Sequence, residues 1–159
     1  MLKIGVISDT HIKEEPVELP AALMRGLADV DLIIHAGDIA CAGVLKLLAR
    51  LAPVEAVYGN VDPAPLTRQL EEKLFLEKEN KKIGVIHGFQ LRGQIYNARY
   101  EFPGADIIIF GHTHRPCRRM VGDTLFFNPG SPTDKRLQSS HSYGIIILDN
   151  EIKGQIIKI

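Results

Sequence analysis

LKIGVISDTH, Leu2–His11, decides how the rest of the chain is read. Leu2–Ser8 is nearly continuous in apolar, mostly β-branched residues, the pattern of a strand covered on both faces. The run then stops, and an acid and a histidine follow as Asp9-Thr10-His11. The same five letters, KIGVI, recur at Lys82–Ile86 within KKIGVIHG (Lys81–Gly88), and this second run ends on His87. DLIIHAG (Asp31–Gly37), VEAVYG (Val54–Gly59) and ADIIIFG (Ala105–Gly111) have the same character. Apolar spacing predicts helices over Leu19–Asp29, with Pro20 in the first turn, over Ala42–Leu51, and over Gln90–Tyr100, which ends ahead of Pro103. Strand–helix alternation implies right-handed crossovers and a parallel sheet. The last third differs. PCRRMVG, TLFFN, SYGIIILD and EIKGQIIKI, between Pro116 and Ile159, read as strands joined by short turns, an antiparallel meander. No linker interrupts the chain, so the expectation is one α/β domain over residues 1–159 with a mixed sheet arrangement.

Bulk composition narrows the function. Of 159 residues 45% are hydrophobic, enough for a real core. Lys plus Arg and Asp plus Glu are 19 each, and this neutral balance argues against a surface built for extended nucleic acid. The cluster Arg115, Arg118 and Arg119 reads as a solvated face. Two cysteines, Cys41 and Cys117, form no CxxC pair and are expected as buried thiols in a reducing compartment. The opening residues lack a signal-peptide pattern, and no apolar run nears the ~20 residues of a membrane span. A cytoplasmic protein that does not enter membranes is expected.

The strand ends carry the chemistry. After successive strand-like runs come Asp9 and His11, Asp38, Asn60, His87, and then His112 and His114. The carboxyl edge of an α/β sheet is where ligands bind. Alone, each residue has a structural explanation: Asp38 and Asn60 as helix caps, Asp9 as turn chemistry. Those explanations do not account for five successive strand ends furnished with metal-competent side chains. Oxygen and nitrogen donors without thiolate suit hard or borderline divalent cations. Seven donors exceed one four-coordinate site and fit two ions that share a carboxylate. In extended backbone, residues two apart point the same way roughly 6–7 Å apart, so His112 and His114 would serve different ions with Thr113 turned away. His35 and His141 are expected to be structural.

In order and spacing, Asp9-x-His11, Gly37-Asp38, Gly59-Asn60, His87-Gly88 and Gly111-His112-Thr113-His114 resemble the motifs of the calcineurin-like metallophosphoesterase superfamily. The short chain and the NPGS loop, Asn128–Ser131, are similar to its small bacterial and archaeal phosphodiesterase branch. The resemblance implies a sandwich of two mixed β-sheets flanked by helices, in four layers. It also implies a first metal on Asp9, His11, Asp38 and His114, and a second on Asp38, Asn60, His87 and His112. Asp38 would bridge, and a hydroxide between the ions would attack phosphorus. Asp9, His11, Asp38, Asn60 and His87 would be the catalytic set. Manganese is the leading cation, with nickel, iron, cobalt and zinc also fitting.

Two positions depart from the family pattern. Where many members read GNH followed by an acid, this chain has Gly59-Asn60-Val61-Asp62; where many read GHGH, it has Ile86-His87-Gly88-Phe89. The family histidine at position 61 is credited with protonating the leaving group, and valine has no proton to give. Leaving groups that depart as stable anions should therefore react best, which favours a small phosphodiester over an alkyl monoester. Four metal charges against Asp9, Asp38 and a hydroxide leave a site positive by about one unit, suited to an anionic ester. The alternatives are a phosphomonoesterase, a DNA-end nuclease resembling longer relatives, and a protein-interaction scaffold resembling the retromer subunit. The scaffold reading goes with a degraded metal site, whereas all seven donors are kept here. Homo-oligomerisation stays open.

Overall fold

The computed structural model describes all 159 residues, and in it the two KIGVI segments hold equivalent places in two different sheets. The first lies in β1 (Leu2–Ile7) and the second in β5 (Lys81–Ile86). In each, the isoleucine and valine of the repeat, Ile4 and Val6 or Ile83 and Val85, face the space between the sheets. The intervening glycine faces outward beneath a bulky side chain. A methyl group on Gly5 would strike Leu27, and one on Gly84 would strike Phe102. The repeat therefore encodes a strand that is apolar on its inner face and cut away on its outer face, where helical residues press close.

The first sheet runs in the order β10 (Ile152–Lys158), β9 (Ser142–Leu148), β1, β2 (Leu32–His35), β3 (Val54–Ala56). The second runs β4 (Lys73–Lys78), β5, β6 (Ile107–Ile109), β8 (Thr124–Asn128), β7 (Cys117–Val121). Parallel triples, β1–β2–β3 and β5–β6–β8, are flanked by antiparallel strands. One core cluster fills the gap between the sheets and includes Ile34, Val57, Ile109, Phe127 and Ile146. A second covers the outer face of the first sheet with α1 (Ala21–Gly26) and α2 (Ala42–Leu48). A third covers the second sheet with α4 (Ala98–Glu101) and Phe102. Helix, sheet, sheet, helix is the four-layer sandwich that the resemblance implied. None of its helices is long and apolar enough to cross a membrane.

Several local expectations are corrected. α1 ends at Gly26, because the Ala28 and Val30 amides bond three residues back and tighten the chain toward β2; Pro20, with non-helical ψ of 131°, is its cap rather than a first-turn residue. α2 likewise ends at Leu48, with Arg50 and Leu51 bonding three residues back. The helix expected over Gln90–Tyr100 is broken into 3-10 turns at Phe89–Leu91 and Ile95–Asn97 followed by α4, since Arg92 (φ 47°) and Gly93 (φ 81°) turn left-handed. Thr124–Asn128 was expected in a meander, yet β8 pairs parallel with β6 as well as antiparallel with β7. Sequence reading missed α3 (Ala64–Thr67) and β4, an edge strand of alternating half-buried and exposed residues. Neither cysteine is fully buried.

Phe127 joins the layers: its ring fills the space left by Gly144 and Gly154 on the facing sheet. Phe127→Ala should lower the unfolding free energy by about 3–5 kcal/mol, as aromatic-to-alanine core truncations do. Urea denaturation reads this as a lower midpoint. Phe127→Leu should lose clearly less.

Candidate metal centre

The parallel strands of both sheets end at the same edge of the sandwich, and all seven expected donors converge there. Five of the seven, Asp9, His11, Asp38, His112 and His114, have left-handed backbone, with φ between 50° and 67°. This conformation is costly for non-glycine residues and clusters at functional sites. It also corrects the expectation of extended backbone around Thr113. His112 and His114 fall in different groups, as expected, but on left-handed rather than extended backbone. The donors nonetheless divide into two groups, Asp9 with His11 and His114, and Asp38 with His87 and His112; within each group the donor atoms lie within 4.8 Å of one another.

Each carboxylate has one oxygen held by the protein and one left for the centre. Asp9 Oδ2 accepts the Ser8 hydroxyl at 2.6 Å and the His112 amide at 3.1 Å. Its buried Oδ1 has no hydrogen-bond partner and lies 3.4 Å from His114 Nε2 and 3.8 Å from His11 Nε2. Asp38 Oδ1 accepts the Val61 amide at 3.0 Å, while Oδ2 lies 3.2 Å from His87 Nε2 and 3.5 Å from His11 Nε2. Asp38 thus faces histidines of both groups. The imidazoles are aimed the same way. His87 Nδ1 donates to the Ala36 carbonyl at 2.7 Å and His114 Nδ1 to the Asp134 carbonyl, so that each Nε2 turns inward. A carbonyl on the far nitrogen is the usual support of a metal-bound histidine. Buried His87 Nε2, like Asp9 Oδ1, is otherwise unpartnered. Separations of 3.2–3.8 Å match the ~3.4 Å edge of a tetrahedron with ~2.1 Å bonds. By these tests the residues fit divalent cations. Asn60 sits exposed at the rim, its Oδ1 3.1 Å from His112 Nδ1.

Electrostatics reflects the crowding. Burial alone would raise the Asp38 pKa, but the close imidazole and charge of His87, the Val61 amide and His11 hold it below the ordinary carboxylate value. Burial alone would lower His87, yet the close approach of the Asp38 carboxylate and the charges of Asp9 and Asp38 raise it. His112 is lowered by burial and then by the charge of His87.

A supporting layer escaped sequence reading. Asp62 accepts four backbone amides, from Asp38 at 3.1 Å, Ile39 at 2.8 Å, Ala40 at 2.7 Å and Gly59 at 2.7 Å, and so ties the loop after β2 to the loop after β3. A side chain at Gly59 would overlap the Asp38 carboxylate, so only glycine lets these loops meet. The NPGS segment performs the same service across the sheets. Ser131 Oγ donates to the Asp9 carbonyl at 2.8 Å, and Asn128 Nδ2 donates to the Gly111 carbonyl at 2.9 Å. An acid two residues after Asn60 was the available signal for Asp62, but nothing in sequence reveals four acceptor contacts.

His35 and His141 join neither donor group. His35 is fully buried; its Nδ1 accepts the Gly37 amide, so Nε2 carries the proton and donates it to Thr10 Oγ1 at 3.1 Å.

The supporting layer has two measurable consequences. Asp62→Ala removes no donor from either group but strands four amides, and an unmet buried amide costs about 1–3 kcal/mol. Because Asp62 is half-buried and water recovers part of this, the metal-free protein should lose about 2–3 kcal/mol in urea denaturation. The second consequence concerns pH. Burial holds His35 down to about 3, from an ordinary 6.5, against the opposing pull of Asp9 and Asp38. The unfolded chain takes up this proton first, so the contribution is complete above pH 6.5 and drains away as pH falls toward 3. Unfolding free energy should therefore fall less steeply from pH 7 to pH 4 in His35→Gln than in the parent protein.

The chain is similar to known proteins along nearly its whole length. A family model for the calcineurin-like phosphoesterase superfamily domain matches residues 2–151. A probable metallophosphoesterase of Methanothermobacter thermautotrophicus is 42% identical, with 98% of this chain and 91% of the relative covered. Among solved structures, a novel archaeal phosphodiesterase superposes with a TM-score of 0.77 at 26% identity, covering 98% of this chain and all of the other. Vps29 of Entamoeba histolytica, as a D62A mutant in its own numbering, gives a TM-score of 0.77 at 23% identity over 99% of both chains and shares the fold. With a family model over nearly its whole length and an archaeal relative at this identity, the chain belongs to the calcineurin-like phosphoesterase superfamily, metal-binding hydrolases of phosphoric esters.

Proposed function

We propose that the chain is a single-domain phosphodiesterase, working in the cytoplasm on small phosphodiesters with two divalent cations, manganese foremost. Asp9, His11, Asp38 and His114 hold one cation, and Asp38, Asn60, His87 and His112 the other. The observation that carries this reading is the pair of half-tied carboxylates, each keeping one oxygen for the centre while inward-turned imidazoles surround them. Bound cations supply Lewis-acid charge and lower the pKa of coordinated water.

The chain's own residues set the substrate preference. Val61 stands 40% exposed at the rim, its amide fixed on Asp38 Oδ1, and its side chain has no proton to donate to a departing oxygen. His35 is no substitute, because it is fully buried and both ring nitrogens are engaged. A leaving group must therefore carry its own negative charge, which suits activated diesters. Delivery of a proton to a poor leaving group is typically worth ~10²–10⁴-fold, and alkyl monoesters forgo it here. The archaeal structural neighbour is named a phosphodiesterase, which agrees with this preference.

Metal analysis together with a phosphoester panel tests the reading. About two cations per chain are expected, and an aryl diester should turn over faster than the matching aryl monoester, with alkyl monoesters slowest. Asp38→Ala should cost more activity than Asn60→Ala, since it removes a charge facing both groups. Val61→His should raise monoester turnover more than diester turnover. One cation and no turnover with any of manganese, iron, cobalt, nickel or zinc would sink the proposal.

A further inference from the structure

We propose that the cleft beside His112 is a subsite for a planar aromatic ring esterified to the substrate phosphate. This rests on the phosphodiesterase reading and names the kind of alcohol that such an enzyme would select. The cleft measures about 420 Å³ and is lined by Ile95, Tyr96, Phe110, Thr113, Arg115 and Cys117. That volume lies within the ~300–1,000 Å³ range of small-molecule sites.

Its position follows from two contacts. Thr113, which lines the cleft, lies between His112 and His114, and its Oγ1 accepts the Arg115 amide at 3.2 Å and Asn128 Nδ2 at 3.1 Å. On the other wall, Ile95 Cδ1 and His112 Cβ converge on Gly88: a methyl group there would stand 3.5 Å from the first and 4.0 Å from the second. The cleft therefore adjoins the backbone that carries His112, one residue from the metal centre.

The lining is suited to a flat, apolar group. Four of the six residues are hydrophobic. Tyr96 is held on two sides, packed edge-on against Phe126 with ring centres 5.2 Å apart, and gripped by Arg119, whose guanidinium lies 5.5 Å from the ring centre and whose Nη1 donates to the phenol oxygen at 3.1 Å. A ring fixed in this way presents a preformed surface at low entropic cost. Cys117 adds an apolar wall, since burial pushes its thiol up and keeps it neutral. Arg115 is exposed, with its backbone amide on Thr113, and its planar guanidinium can lie over an aromatic face. An inorganic anion would leave the apolar walls unused, and a flexible alkyl chain would gain little from Arg115. A benzene ring and a nucleobase share the required chemistry.

Two measurements decide the matter. In zinc-loaded protein, and in the metal-free protein in parallel, the Ile95 δ1 methyl resonance is followed by NMR during titration with phenyl phosphate, thymidine 5′-monophosphate or inorganic phosphate. A shift with a ring-bearing ligand and none with inorganic phosphate supports the subsite; which ring acts separates simple aryl esters from nucleotides. No ring-dependent shift in either form of the protein overturns it. In the active enzyme, Tyr96→Ala and Arg115→Ala should each raise KM for bis(p-nitrophenyl) phosphate about tenfold with a smaller fall in kcat, and should leave inhibition by inorganic phosphate unchanged. If both variants keep the parental KM, the inference fails while the phosphodiesterase reading stands. If the parent takes up none of manganese, iron, cobalt, nickel or zinc and hydrolyses no phosphoester, that reading fails, and the methyl resonance of the metal-free protein still judges the cleft on its own.

Discussion

Two carboxylates buried side by side without a lysine or arginine among them set the terms for the rest of the molecule. Asp9 is fully buried and Asp38 nearly so, and their free oxygens lie 3.9 Å and 3.2 Å from the same nitrogen of His87. Such a pair is tolerable only with compensating positive charge, whether from a protonated imidazole or from a cation. The local architecture is arranged around this requirement. Ser8, the Val61 amide and the His112 amide each occupy an outer oxygen, which fixes the inner ones in place.

Holding that geometry demands backbone that the chain would not otherwise adopt. A left-handed turn at a non-glycine residue costs roughly 1–2 kcal/mol, and five donor residues adopt one. The cross-loop bonds offset this. Asp62 joins two loops of the first sheet, while Ser131 and Asn128 join the NPGS loop to the turn after β1 and the turn after β6. These residues touch neither donor cluster with a ligand atom, yet they determine where the ligand atoms stand. Pre-organisation of this kind is what separates a metal centre from a random meeting of acids and histidines.

What sequence could reveal follows from the range of the forces involved. The strand ends were legible because an apolar run ending in a polar, metal-competent residue is a local pattern, repeated five times. The two sheets were not legible from periodicity: the same patterns suit one parallel sheet, and only the family resemblance implied the sandwich. β4 escaped because an exposed edge strand carries charges that mask its alternation. The left-handed turns at His112 and His114 were missed because nothing in Gly-His-Thr-His distinguishes extended from left-handed backbone; a tertiary contact, the His112 amide on Asp9, fixes it. Asp62 was visible as a residue but not as a four-way acceptor, since its partners lie up to 24 positions away.

β1 carries Asp9 and His11 at its end, yet its antiparallel partner is β9, so Leu2 lies opposite Leu148. During synthesis, β1 has only one of its two neighbours until segments more than 130 residues later emerge. His11 and His114, whose ring nitrogens finish 3.1 Å apart, are 103 residues apart along the chain. Closure of loops this long is slow, and the centre is thereby a late product of folding rather than a seed for it. A cation seated there would act as a clasp on the finished sandwich, joining strands that have no covalent reason to stay together.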